Sequence, residues 1–229
     1  MTNKRSKRSA LIRALRNIPA AMQNHLSGLK EKGRANLERD DFVWHHLLQA
    51  AATLGGSKGW EGLIGDESNY AQVTYEALEP LSDENRLDQL AQVTRRAKVR
   101  YPARKAEALA VNFKKVQKMG GPLEAKKKAL AQEGAHAKIA FMRRFKGIGP
   151  KYGRNIWMDV YHPDFHQSIA LDSRISAITK LMGYDFGDDY AEHEHFYLEI
   201  AEEANLQGWE VDRLLYNYQS HFEHIIRDA

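Results

Sequence analysis

Arg143-Arg144-Phe145-Lys146-Gly147-Ile148-Gly149-Pro150-Lys151-Tyr152-Gly153-Arg154-Asn155-Ile156 is the stretch on which the reading of this chain turns. Ahead of it Ile139, Met142 and Phe145 recur at helical spacing, and beyond Pro150 the apolar pattern resumes with Tyr152, Ile156, Trp157 and Val160. What lies between is long enough only for a tight turn, so the stretch reads as helix, turn, helix. Two glycines permit backbone geometry and a close approach that a β-carbon would block, and Pro150 suits the first position of a helix. Ile148, between them, is placed to pin the two helices together. The free N–H groups at the start of the second helix face outward. With the positive end of the helix dipole, and with Lys146 and Arg154 nearby, they make a natural phosphate site.

Working outward, the same helical spacing recurs nearly everywhere: Phe42, Leu47, Leu48 and Ala51; Leu87, Leu90 and Ala91; Ala106, Leu109, Ala110, Phe113 and Val116. No convincing alternating strand is present. Gly and Pro punctuate the chain at Gly59, Pro80, Pro102, Gly120-Gly121-Pro122, Gly134, Pro163, Gly183, Gly187 and Gly208. About ten helices joined by short turns are predicted. With 229 residues, 43% of them hydrophobic, the chain can fill a core in one large domain or in two small lobes sharing a cleft.

Charge is unevenly spread. Residues 86 to 154 hold 19 Lys/Arg and 4 Asp/Glu, a net of +15, whereas residues 182 to 229 hold 2 and 12, a net of −10. A single-sign excess of that size concentrates counter-charge and points to a polyanion, nucleic acid above all. The chain contains no cysteine, which excludes disulfides, thiolate metal sites, cysteine-ligated iron–sulfur clusters and cysteine nucleophiles. It has no apolar run long enough for a membrane helix, and an intracellular location is expected. Residues 1 to 16 carry six cations and no acid; a basic arm or a frayed first helix is the preferred reading, with a targeting peptide as the lesser one. The paired histidines are poor metal ligands by spacing. Only His221 and His224 share a helical face, with no carboxylate at a zinc-protease interval.

The hairpin resembles that of the helix-hairpin-helix DNA glycosylase superfamily, in which a Gly-hydrophobic-Gly turn is followed some twenty residues later by an essential aspartate. Here the second element reads Ile169-Ala170-Leu171-Asp172-Ser173-Arg174-Ile175, similar to the family's hydrophobic-Asp-x-His/Arg pattern, 21 residues beyond Lys151. In the bifunctional members the residue two past the second glycine is the catalytic lysine, and that position is Lys151. The resemblance therefore implies an all-α fold of two helical lobes, residues 42 to 164 and residues 1 to 41 with 165 to 229, with the active site in the cleft between them. It implies a glycosylase with associated lyase activity on damaged double-stranded DNA, acting as a monomer, with Lys151 as nucleophile and Asp172 as essential carboxylate. Lys146, Gly147, Ile148, Gly149, Arg154 and Arg174 would contact DNA, and Asn155 is a candidate for the base pocket. The 8-oxoguanine branch is favoured, with no cofactor beyond a monovalent cation at the hairpin carbonyls. An intercalating residue should follow the first barrel helix, and only the loop from Thr53 to Trp60 can be nominated. From the residues themselves two other roles stay open: a phosphate contact for Lys151, and a helix cap for Asp172.

Overall fold

The computed structural model describes residues 2–53 and 57–229, of which fifteen stretches are α-helix and none is strand. In chain order they are α1 (Thr2–Arg16), α2 (Ala20–Glu38), α3 (Phe42–Ala52), α4 (Lys58–Leu63), α5 (Glu67–Ala71), α6 (Tyr75–Leu78), α7 (Asp83–Arg96) and α8 (Pro102–Met119). They continue as α9 (Pro122–Leu130), α10 (Gly134–Met142), α11 (Pro150–Asp159), α12 (Ser173–Leu181), α13 (Tyr190–Ala204), α14 (Gly208–Asn217) and α15 (Gln219–Arg227). A 3-10 turn, Pro163–Phe165, lies between α11 and α12. The chain divides into two compact units: residues 36–156, the hairpin unit, and residues 1–35 with 157–229, the terminal unit.

In the hairpin unit α3 is apolar on nearly every face, with Phe42, Val43, Trp44, Leu47 and Leu48 buried, and it packs on α8 and α9. Helices that are apolar all round belong at the centre of a core. The Trp44 indole N–H donates to the Val73 carbonyl at 2.8 Å, so the one polar atom of this side chain is satisfied inside the core. α7 and α8 form the most extensive helix pair, around Leu90, Val93, Leu109 and Phe113. Arg86 is buried against it, its guanidinium 4.0 Å from the Phe113 ring centroid and bonded to the Leu78 and Leu81 carbonyls and to Asp83. α8 begins at Pro102 and ends where Gly120 takes a φ of +102°, a left-handed cap that glycine adopts without steric cost.

In the terminal unit α1 packs on α13 and α15, while α12 packs on α14 and α15. The six-cation start is thus neither a free arm nor a frayed turn. Ala10, Leu11, Ile12 and Leu15 are buried, and the cations on the other face meet the acidic C-terminal segment. Arg8 bonds Glu203 at 2.6 Å, and Arg16 donates to the Glu203 carbonyl. Lys30 on α2 pairs with Glu210 at 2.7 Å, and Glu210 also caps the start of α14 through the Gln207 N–H. Part of the acidic excess of residues 182 to 229 is thus met, at these positions, by cations of α1 and α2 within one unit. Among the described residues no helix is long and apolar enough to cross a membrane.

Candidate functional site

α10 ends at Met142, the chain turns through residues 143–149, and α11 starts at Pro150, as the punctuation predicts. Gly147 has a φ of +88°, where any residue with a β-carbon is strained. Gly149 is a different case. Its backbone is unstrained and a β-carbon there would meet nothing within 4 Å, so nothing inside the described chain requires its glycine. Ile148 is 8% exposed and anchors the turn, and Gly153 brings α11 close to Ile139 of α10.

One side chain holds the turn's entry. Asn112 of α8 is 2% exposed; its amide donates to the Lys146 carbonyl at 2.9 Å and its oxygen accepts from the Lys146 N–H at 2.7 Å. Replacing it removes two part-buried hydrogen bonds that hold the Lys146 backbone, each worth about 0.5–1.5 kcal/mol. Asn112→Ala is therefore expected to lower stability by about 1–3 kcal/mol, read as a fall in the urea midpoint. An unchanged midpoint would mean that water replaces both bonds.

Lys146, Gly147 and Lys151 are exposed on this hairpin, and Arg154 and Asn155 follow one turn further along α11. The Asn155 side-chain oxygen is buried without a hydrogen-bond partner among the described residues. A buried acceptor left open is costly unless something outside the chain fills it. Beside the turn lies a small cavity of about 20 Å³ between Leu47, Lys105, Leu109 and Ile148, room for a water and far too little for a nucleobase.

Two residues on this side gave no motif in the sequence. Lys105 is half-buried, and burial first, then Arg104, pulls its amine below the usual lysine range. One turn earlier Tyr101 is 54% exposed, with a φ of +57° and the Arg100 guanidinium 5.0 Å from its ring. An exposed aromatic in a left-handed conformation among Arg100, Arg104 and Lys105 is a surface suited to stacking. Its only sequence signal was an aromatic before Pro102 inside a basic run. Of the nominated intercalating loop, Leu54, Gly55 and Gly56 lie outside the described residues, and Lys58 to Trp60 form the first turn of α4.

Asp172 and Arg174 belong to the terminal unit. Asp172 is the N-cap of α12, its Oδ1 accepting from the Arg174 and Ile175 N–H groups at 2.9 and 3.0 Å. The Arg174 guanidinium donates to the Tyr216 carbonyl at 2.8 Å and lies 4.2 Å from the Tyr216 ring centroid. The extended segment before the cap is stitched to its surroundings. Ile169 N–H donates to Glu194 at 3.0 Å, the Tyr190 hydroxyl donates to the Ile169 carbonyl, and Ala170 N–H donates to Asp212 Oδ1 at 2.7 Å.

Asp212 is 2% exposed, and burial pushes its carboxyl up to about 6; Arg213 and the Ala170 amide pull it back, while Asp172 and Asp159 push it further. A carboxyl raised in the folded state above its unfolded value adds stability at pH below the unfolded value and loses it as pH climbs through about 6. Asp212→Asn is therefore expected to raise the thermal midpoint at pH 7.5 and to leave it nearly unchanged at pH 4. The gain is bounded at roughly 3 kcal/mol. A lower midpoint for the variant at pH 7.5 would reverse the assignment.

Three of the paired histidines are held by internal hydrogen bonds. His45 bonds the Tyr70 hydroxyl, His46 the Phe42 carbonyl, and His193 the Thr179 hydroxyl. Among the described residues no group of three or more His, Asp or Glu is gathered as a metal site.

No known protein family and no curated protein matches the chain as a sequence. Solved structures do match. The 8-oxoguanine DNA glycosylase of Methanocaldococcus jannaschii superposes with a TM-score of 0.68 at 16% identity, covering 91% of this chain and 92% of that one. A second structure, the M. jannaschii 8-oxoguanine glycosylase/lyase in complex with a 15mer DNA containing 8-oxoguanine, gives 0.67 at 16% identity over 92% and 96%. The 8-oxoguanine DNA glycosylase of Thermotoga maritima gives 0.64 at 16% identity over 91% and 95%. The chain has the fold of these glycosylases.

Proposed function

We propose that the protein is a base-excision repair enzyme, a DNA glycosylase with associated lyase activity, and that 8-oxoguanine is among the bases it removes. The observation that carries this reading is Lys151, exposed on the first turn of α11, two residues past Gly149. It stands there in a chain whose fold is that of glycosylases, one of them solved on DNA containing the lesion.

The chemistry closes on these residues. Once the damaged base is unstacked and flipped, the neutral Lys151 Nζ attacks C1′ of the deoxyribose. The C1′–N9 bond breaks, its electron pair leaves with the base, and the base gains a proton. Positive charge develops on the sugar as that bond lengthens, and the Asp172 carboxylate stabilises it. Ring opening gives an imine between Lys151 and C1′. The imine acidifies the C2′ proton, whose removal expels the 3′ phosphate by β-elimination. No metal or redox cofactor enters this scheme. The Asn155 oxygen is a free acceptor for a donor on the flipped base. Arg100 and Tyr101 extend the contact surface ahead of α8, and Arg174, its guanidinium braced by Tyr216, is a further cation for the DNA backbone.

The test is a panel of duplexes, each with a single lesion, incubated with the enzyme and borohydride in the presence of chelator. A trapped covalent adduct on the 8-oxoguanine duplex is expected. Base release without an adduct would assign water as the nucleophile, and binding with neither would leave a clamp.

Affinity in this reading is dominated by phosphates, so binding should fall steeply with salt. Replacing Lys146 or Arg154 by alanine is expected to weaken binding to every duplex sequence and to flatten the log–log salt slope by about one unit each. A slope unmoved by both removes these two residues from the interface.

A further inference from the structure

The segment that delivers Asp172 leans on a buried charge, and the burial is hard to explain as packing. Asp212, on α14, is 2% exposed and its Oδ1 takes the Ala170 N–H two residues before Asp172. An asparagine would accept the same bond without the cost of a buried charge. The charged groups around it come from three elements besides its own. Arg213 on α14 reaches to 3.7 Å from Oδ2; Asp159 approaches from the end of α11, Asp172 from the start of α12, and Glu194 of α13 holds the adjoining Ile169 amide. The Asp172 charge therefore adds to what raises the Asp212 carboxyl, and of the two acids only Asp172 has solvent access.

We propose that Asp212 is a positioning residue for Asp172, holding residues 168–172 in place through the Ala170 amide and adding, when ionised, a second negative charge behind the Asp172 carboxylate. The proposal rests on the role given to Asp172 above. As the pH rises through the Asp212 transition, near 6, the amide bond becomes charge-assisted and stronger. The field that favours positive charge on the sugar deepens at the same time. Below that transition Asp212 is neutral and behaves as asparagine would. The structure thus links a pH-dependent switch in rate to a residue that touches no substrate.

Two measurements test it, one of them independent of catalysis. The first is the single-turnover rate of base release from an 8-oxoguanine duplex between pH 5 and 8. Asp212→Asn should be slower by about tenfold at pH 7.5, with duplex affinity unchanged, and the deficit should vanish at pH 5. A deficit constant across that range would reduce Asp212 to a structural part and overturn the proposal, as would a wild-type rate throughout. The second is the pH titration of the Ala170 amide nitrogen by NMR in the free protein. It should show a transition near 6 that is absent in Asp212→Asn and displaced to lower pH in Asp172→Asn, because Asp172 raises the Asp212 carboxyl. A transition at the same pH in wild type and Asp172→Asn would show that the two acids do not interact and would sink the idea. If the wild type released no base from any lesion duplex, the glycosylase reading would fail, while the Ala170 titration would still decide the coupling.

Discussion

Lys151→Gln is expected to leave no borohydride-trapped adduct and no strand cleavage on a lesion duplex that the wild type converts fully. A glutamine amide nitrogen has no available lone pair for attack at C1′ and cannot form an imine, so the covalent path is closed rather than slowed. Binding should persist, because the turn is built from the Gly147 φ of +88°, the Ile148 anchor and the Asn112 clamp on Lys146. None of these uses the Lys151 side chain. The informative comparison is adduct yield against affinity for the same duplex. A trapped adduct at the wild-type rate would move the nucleophile to another amine, and half-buried Lys105 would then be the first to replace.

Asp172→Asn is the second large effect. Asparagine can still cap α12 through its side-chain oxygen, keeping the bonds to the Arg174 and Ile175 amides. Stability should therefore change by only a few tenths of a kcal/mol, the usual spread among good capping residues. Base release should fall by about 100-fold, corresponding to roughly 3 kcal/mol of electrostatic stabilisation lost in the transition state. Asp172→Ala adds the loss of the cap, about 1 kcal/mol of stability, without a comparable further loss of rate. A wild-type rate in Asp172→Asn would confine the residue to capping.

What the sequence disclosed follows from which signals are local. The hairpin, the start of α8 at Pro102, its end at Gly120, and the start of α9 at Pro122 are marked by Gly and Pro. About ten helices were expected where fifteen stand among the described residues. α4, α5 and α6 run for 6, 5 and 4 residues, too few to display a 3.6-residue period. α13 ends at Asn205, in the left-handed conformation, three residues before the glycine that looked like the break. α14 and α15 are parted by Tyr218 alone. Long-range pairings left no trace at all. Asp212 reads as one more acid in an acidic tail, because the amide it holds is 42 residues away. The cations of α1 read as a free arm because the acids that meet them, such as Glu203, lie up to 195 residues further on.

That last separation sets an order of events during synthesis. Residues 36–156 are contiguous, so the hairpin unit closes on contacts available as soon as its own chain has emerged. α1 has no such option. Its buried face, Leu11 and Leu15, must wait for α13 and α15, which leave the ribosome much later. Contacts between distant segments form slowly, and apolar surface exposed in the interval invites aggregation. The terminal unit, which carries Asp172, is therefore the later one to mature. A chain stalled before α13 would hold a finished hairpin unit and a first helix whose apolar face is still uncovered, a nascent form prone to aggregation.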